Sequence, residues 1–148
     1  MTNYFITGGN GFIGRRVIER LLTVDRTATV HALVRESSLT RFTETLAGFP
    51  DADRVTPVVG DITTPGLGLD GTELPDIDHV VHLAAIYDMA ADADAQQTAN
   101  VAGTAHVADF AVARDALCHH VSSIAVAGDH RGVYTEDDFC LLYTSDAA

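Results

Sequence analysis

The sequence predicts an α/β domain built on a doubly wound parallel sheet, and three observations carry that reading. Short apolar runs alternate with stretches of helical period, which implies parallel strands joined by crossover helices. A glycine-rich turn, Thr7-Gly8-Gly9-Asn10-Gly11-Phe12-Ile13-Gly14, stands between the first strand and the first helix. The 148 residues are 47% hydrophobic and 20% charged, a balance that suits one globular domain with a real core.

Taken in order, Tyr4 to Thr7 is a short apolar run that ends in glycines, as a buried strand does. Gly11 to Val24 has helical spacing, with Phe12, Val17, Leu21 and Val24 near one face and most of the charge elsewhere. Thr29 to Val34 is the second strand. Leu39 to Ala47 is the second helix, with Ser38 as a candidate cap and Gly48 and Pro50 closing it. Val55 to Val59 is the third strand, and Pro57 places it near a sheet edge. Gly60 to Pro75 is rich in Gly, Pro and Thr and reads mostly as loop. His79 to Leu83 is the fourth strand, Thr98 to Ala113 a long helix, and His120 to Ser122 a fifth strand. The low-complexity run Ala90 to Ala95 reads as a solvated acidic loop or helix start. No internal repeat and no interdomain linker interrupts the pattern.

Charge and composition exclude several chemistries. Nine cations face 21 carboxylates, a formal net charge of −12, and all nine are arginine. Without lysine there is no Schiff base, no Walker-type phosphate lysine and no lysine-assisted acid/base site; a GC-rich genome accounts for arginine on the surface. The acidic balance argues against nucleic acid or an anionic membrane as partner. Cys118 and Cys140 are too few for a disulfide framework and form no CxxC pair, so a reducing compartment is expected. No leader of basic region plus cleavage site precedes Tyr4, and no apolar run is long enough to span a bilayer. The expectation is a soluble, cytoplasmic protein.

Gly8, Gly11 and Gly14 have separate physical tasks: a tight turn, close backbone approach to a pyrophosphate, and close helix–strand packing. The free N–H groups and dipole at the helix start favour the phosphates. Spaced as Gly-x-x-Gly-x-x-Gly, with Thr7 before them and Phe12-Ile13 among them, these glycines resemble the extended short-chain dehydrogenase/reductase family. The resemblance runs from Asn3 to about Phe139 and includes four further motifs. Val80-Val81-His82-Leu83-Ala84-Ala85 resembles the family's fourth strand, whose small residues let the backbone lie against the cofactor. Asp61-Ile62 falls where the family contacts adenine. Asn100-Val101-Ala102-Gly103-Thr104 resembles its Asn-Val-x-Gly-Thr helix, and Val121 to Gly128 the fifth strand that delivers an active-site serine. The resemblance implies a Rossmann fold, incomplete here, with a dinucleotide held by Thr7, Gly8, Gly11, Phe12, Ile13, Gly14, Asp61, Ile62, Leu83, Ala84, Ala85 and Asn100. For Asn100, a helix cap or packing amide is an equal alternative.

The second strand ends Val30-His31-Ala32-Leu33-Val34-Arg35, with no carboxylate until Glu36. NAD-dependent enzymes of this fold usually place an acidic residue there for the ribose 2′-hydroxyl. A guanidinium suits a 2′-phosphate, so NADP(H) is expected before NAD, with Arg35 as phosphate ligand and Ser37 and Ser38 as added hydroxyls. Arg15 and Arg16, at a helix start that disfavours cations, are secondary candidates, though an exposed helix face explains them more simply.

The family's chemistry uses a serine or threonine to bond the substrate oxygen, and a Tyr-x-x-x-Lys pair as acid/base. Carried onto this sequence, the serine is Ser123. The pair is absent: Tyr134 is followed four residues later by Asp138, and Tyr143 by Ala147. A phenol of ordinary pKa is a poor base at neutral pH. Cys140 to Ala148 resembles the conceptual translation of a transposon-end sequencing adapter. The expected organisation is therefore residues 1–139 as the N-terminal part of an NAD(P)-binding domain and 140–148 as a non-native tail. By itself the chain is expected to be inactive and to fold poorly where apolar faces lack their cover.

Leu33-Val34-Arg35, Tyr87-Asp88-Met89 and the Ser122 to Gly128 stretch lie closer to acyl-CoA reductase-like and steroid-dehydrogenase-like branches than to sugar-nucleotide epimerases. The implied function is hydride transfer between NADP(H) and a carbonyl or acyl thioester. The alternatives are a sugar-nucleotide epimerase/dehydratase and a non-catalytic NADP-binding protein. A small-molecule substrate is implied, and the full-length protein has room for a homodimer. Adjacent His119 and His120 should point to opposite faces of a strand, so no metal site is expected. His82 reads as a packing or backbone-bonding histidine, and Glu136 to Asp138 as a solvated loop.

Overall fold

Five parallel strands form one sheet in the order β3-β2-β1-β4-β5, in a computed structural model that describes residues 1–86, 93–123, 127, 130–135 and 137–138. The strands are β1 (Asn3–Thr7), β2 (Thr29–Val34), β3 (Val55–Val59), β4 (His79–His82) and β5 (Leu117–His120). Tyr87 to Met89, the Ala90 to Asp92 part of the low-complexity run, Ile124 to Val126, Gly128, Glu136 and the 139–148 tail lie outside the described residues. The chain winds outward from β1 to β3 and then crosses back to β4 beside β1. Between β1 and β4 lies the topological switch point, where sheets of this kind bind ligands at the carboxyl ends of their strands.

Alternation across the strands gives each face its own core. Phe5, Leu33, Val58 and Val80 pack under α4 (Gly103–Ala113) with Val107 and Phe110. Ile6, Val30, Ala32 and Val34 pack under α1 (Phe12–Val24) and α2 (Leu39–Leu46) with Ile18, Leu22 and Phe42. Pro57 is tolerated because β3 is an edge strand, as expected.

Three local expectations need correction. The buried stripe of α1 is Gly14, Ile18 and Leu22, flanked by Val17 and Leu21; Phe12 and Val24 are exposed. The helix is turned this way because Gly14 must sit on the glycine turn, which sends Phe12 to solvent beneath the Arg16 guanidinium. The last long helix begins earlier, as a short α3 (Ala93–Gln96), and passes through a π-helical stretch, Gln97–Ala102, before α4. The fifth strand begins three residues earlier than expected, at Leu117 and not at His120, and ends at His120. Asp115, in the left-handed region at φ 52°, turns the chain out of α4, and Leu117–His120 then pairs in register with His79–His82. Among the described residues no helix is long and apolar enough to cross a membrane.

Candidate functional site: a cleft at the carboxyl ends of the strands

The glycine turn is shaped by what it touches. Gly8 has φ 74°, and a Cβ there would stand 2.7 Å from the backbone nitrogen of Ala84. A Cβ on Gly14 would stand 2.7 Å from the Gly9 Cα, so the helix start lies directly on the turn. Gly11 occupies the N-cap position of α1 and supplies no capping side chain, and the first turn carries no acidic residue. The leading N–H groups of α1 are thus left without a side-chain acceptor, an arrangement suited to an anion.

A cleft of about 410 Å³ opens beside this turn, at the carboxyl ends of β1 to β4. Thr7, Gly8 and Gly11 line it from the first strand and turn, and Arg35 and Ser38 from the end of β2. Asp61 and Ile62 enter after β3, and Leu83, Ala84 and Ala85 after β4. Nine of the thirteen residues expected to hold the cofactor therefore converge on one cavity, with Ser38 beside them. Phe12, Ile13 and Gly14 stand at the start of α1 rather than in the cavity wall, and the side chains of Phe12 and Ile13 are exposed. Ser38 holds the N-cap position of α2 but makes no side-chain capping bond, so its expected capping role fails and its place is the cleft wall.

Hydrogen bonds set the loops around the cavity. The Asp61 carboxylate accepts from the Thr63 amide (2.9 Å) and hydroxyl (2.8 Å), which closes the turn after β3. His106 on α4 donates its Nδ1–H to the Ile62 carbonyl (2.8 Å). Ile62 lies on Gly103, where a Cβ would meet its side chain at 3.1 Å. Asn100 is the clamp of the next loop: its Oδ1 accepts the Ile86 N–H (2.8 Å) and its Nδ2 donates to the Ile86 carbonyl (2.9 Å). Both ends of that amide face the backbone, and Asn100 does not line the cavity. Its place is to hold Ile86, which does. The amide thus orders the loop beside the cleft and packs against backbone, as one of its two expected alternatives, a packing amide, would; it makes no helix cap.

Thr7 is fully buried, and its hydroxyl is committed to His82, whose Nδ1 lies 2.6 Å away. His82 is buried, as a packing histidine would be, but its ring nitrogens meet side-chain hydroxyls, Thr7 on one side and Thr104 on the other (3.1 Å), rather than the backbone that was the other expected partner. Burial, helped by the neighbouring His120, lowers its pKa to about 4, so the ring is neutral at pH 7. His119 and His120 do point to opposite faces, toward His79 and His82 respectively.

Arg35 is exposed at the rim, shared between the cleft and a neighbouring recess lined by Ser37, Thr64 and Gly68. Among the described residues no ion pair engages it. By contrast Arg54 bonds three backbone carbonyls and Asp51, Arg15 bonds the Asn10 carbonyl, and Arg16 lies over Phe12. Ser123 lies exposed after the carboxyl end of β5 and does not line the cleft.

The family model described as Male sterility protein, an NAD-binding model, matches residues 6–142, nearly the whole chain. The chain belongs to that family. Members and relatives share the extended short-chain dehydrogenase/reductase fold. The dTDP-glucose 4,6-dehydratase of Mycolicibacterium smegmatis is 34% identical over 127 residues, covering 84% of this chain and 37% of the dehydratase. A linear gramicidin synthase of Brevibacillus parabrevis is 30% identical over 141 residues, covering 86% of this chain and 3% of the synthase. Among solved structures, the terminal R domain of the myxalamid PKS-NRPS pathway superposes with a TM-score of 0.77 at 27% identity, over 93% of this chain and 39% of that one. The Bordetella bronchiseptica enzyme WbmG in complex with NAD gives 0.67 at 25% identity, over 85% and 39%. This Male sterility protein family chain thus spans well under half the length of these relatives.

Proposed function

We propose that the chain is the dinucleotide-binding part of an NADP(H)-dependent oxidoreductase that moves hydride to or from a carbonyl or acyl-thioester carbon. The observation that carries this reading is Arg35, an exposed guanidinium at the end of β2, on the rim of the switch-point cleft and without an ion pair among the described residues. No carboxylate stands on β2 to bond a ribose 2′-hydroxyl. Arg35, with Ser37 and Ser38 beside it, supplies charge-assisted donors for a 2′-phosphate. The uncapped start of α1 would take the pyrophosphate, and Asp61 and Ile62 the adenine side of the cleft. A nicotinamide dinucleotide, when bound, supplies the hydride carrier. Ser123, after the carboxyl end of β5, is the hydroxyl proposed to bond the substrate oxygen. The acid/base pair is not assigned to any residue of these 148. The thioester branch of the reading draws on the myxalamid R domain and the linear gramicidin synthase. A small-molecule substrate and a cytoplasmic setting complete it.

Calorimetry, or the enhancement of NADPH emission, tests the reading, since the chain has no tryptophan. NADPH should bind at least about tenfold more tightly than NADH. Arg35→Ala should erase that preference, a loss of about ten- to a hundredfold for a charged hydrogen bond. Equal or tighter binding of NADH overturns it and favours a sugar-nucleotide epimerase/dehydratase, the reading that the 34% identity to the dehydratase supports.

A further inference from the structure

We propose that His82 is a positioning residue for the cleft, a neutral imidazole in one fixed tautomer that locks the Thr7–Gly8 turn, the 83–86 segment and the Asn100–Thr104 turn into one arrangement. Donor accounting fixes the tautomer. The Thr104 hydroxyl has one proton and gives it to the Asn100 carbonyl four residues back, at 2.6 Å. The contact between Thr104 Oγ1 and His82 Nε2 at 3.1 Å must then be an N–H donated by the imidazole. A neutral ring protonated on Nε2 has a bare Nδ1, and the Thr7 hydroxyl, 2.6 Å away, donates to it.

With its proton so directed, the Thr7 oxygen is free to accept from the next segment. The Ala84 N–H donates to it at 3.3 Å, and the Leu83 N–H is shared between this oxygen (3.3 Å) and the Thr7 carbonyl (3.2 Å). One bond direction therefore follows from another, from α4 through His82 to the backbone of residue 84 opposite Gly8. The Asn100 side chain closes the arrangement on Ile86. The groups around the ring are the hydroxyls of Thr7 on β1 and Thr104 on α4, and the titratable His120 on β5 at 5.2 Å between ring centroids. A charged ring would present N–H to both hydroxyls, leaving the Thr7 proton without its acceptor and its oxygen crowded by three donors. A buried apolar side chain would fill the volume of His82 but fix none of these directions. The inference rests on the proposed function only where cofactor affinity is read; tautomer and amide exchange are independent of it.

Long-range proton–nitrogen correlation on the 15N-labelled chain reads the tautomer directly. The expected result near pH 7.5 is His82 neutral and protonated on Nε2. A ring protonated on Nδ1, or charged, overturns the proposal. In His82→Phe the Ala84 amide should exchange at least about tenfold faster relative to the β1 amides of Phe5 and Ile6, while His82→Asn, whose Oδ1 can replace Nδ1 as acceptor for Thr7, should restore much of the protection. Equal acceleration at all three amides means a merely structural role and defeats the proposal. NADPH dissociation should rise about tenfold in His82→Phe and much less in His82→Asn. If the unsubstituted chain binds no dinucleotide, the functional reading falls, while tautomer and exchange still decide the role of His82. Should His82→Phe fail to fold, Thr104→Val removes the acceptor for Nε2–H. The ring should then populate both tautomers, and an unchanged single tautomer overturns the proposal.

Discussion

Gly8 and Ala84 meet backbone to backbone: a Cβ at position 8 would lie 2.7 Å from the Ala84 nitrogen, 3.0 Å from its Cα and 2.8 Å from the Leu83 carbonyl carbon. The glycine turn and the end of β4 are thereby held in direct contact at the switch point of the sheet. Backbone atoms cannot swing away as a flexible side chain can, so even one methyl group must displace a strand end.

Gly8→Ala should therefore cost about 2–5 kcal/mol, combining left-handed backbone strain with overpacking. Gly71 gives the control, because it has nearly the same φ, 76°, with nothing within 4 Å of an added Cβ. Gly71→Ala should cost only the backbone part, about 1–2 kcal/mol. Urea midpoints for the two variants make the comparison. Equal losses would mean that the Gly8–Ala84 contact contributes nothing beyond its dihedral.

How much of this was legible beforehand depends on whether the information is local. The strand–turn–helix start was, because the glycines needed by Gly8 and Gly14 sit in one short run next to an apolar strand. Pro57 likewise marked an edge strand by its missing donor. The face of α1 does not follow from hydrophobic period, because Phe12 is apolar yet turned outward, a consequence of Gly14 packing on Gly9. The fifth strand slipped by three residues because its register comes from pairing with β4 and from the turn at Asp115. Eight cleft residues could be named from motifs and Arg35 from the end of the second strand, whereas the bonds of His82 could not. They join Thr7, His82 and Thr104 across 75 and 22 positions, and no spacing rule connects them.

Gly103 and Ile62 should behave as one unit. A methyl on Gly103 would lie 3.1 Å from both Cγ1 and Cδ1 of Ile62, which packs against the α4-side core. Helix propensity alone favours alanine over glycine by about 1 kcal/mol. The contact should reverse that sign and make Gly103→Ala destabilising by about 1 kcal/mol. Ile62→Ala removes both the Cγ1 and the Cδ1 at a cost of about 2–5 kcal/mol. In the double variant the Gly103→Ala change should then cost little or nothing, a coupling of about 1 kcal/mol in a double-mutant cycle. Strict additivity would show that the helix shifts instead of pressing on Ile62.

Acid sensitivity should begin well above the carboxylate range, and His82 supplies the reason. Its folded-state pKa is about 4, against 6.5 in the unfolded chain, with burial the main cause and His120 the second. As pH falls through 6.5 the unfolded chain takes up a proton that the folded protein refuses until about pH 4. The unfolded state thus binds more protons across this window, and stability rises with pH through it. The contribution should be complete above about pH 7 and lost progressively between about 6.5 and 4, on the order of 1–3 kcal/mol. Burial lowers the pKa of His31 as well, so it acts in the same direction. Asp25 and Asp138, whose pKa values are lowered by hydrogen bonds from Thr27 and Thr135, lose their contributions only at more acidic pH. Urea midpoints at pH 7.5 and 5.0 isolate the histidine window. The drop between them should shrink in His82→Asn, whatever that variant costs at pH 7.5. An undiminished drop would assign the acid sensitivity to His31 or another histidine and leave His82 without a protonation cost.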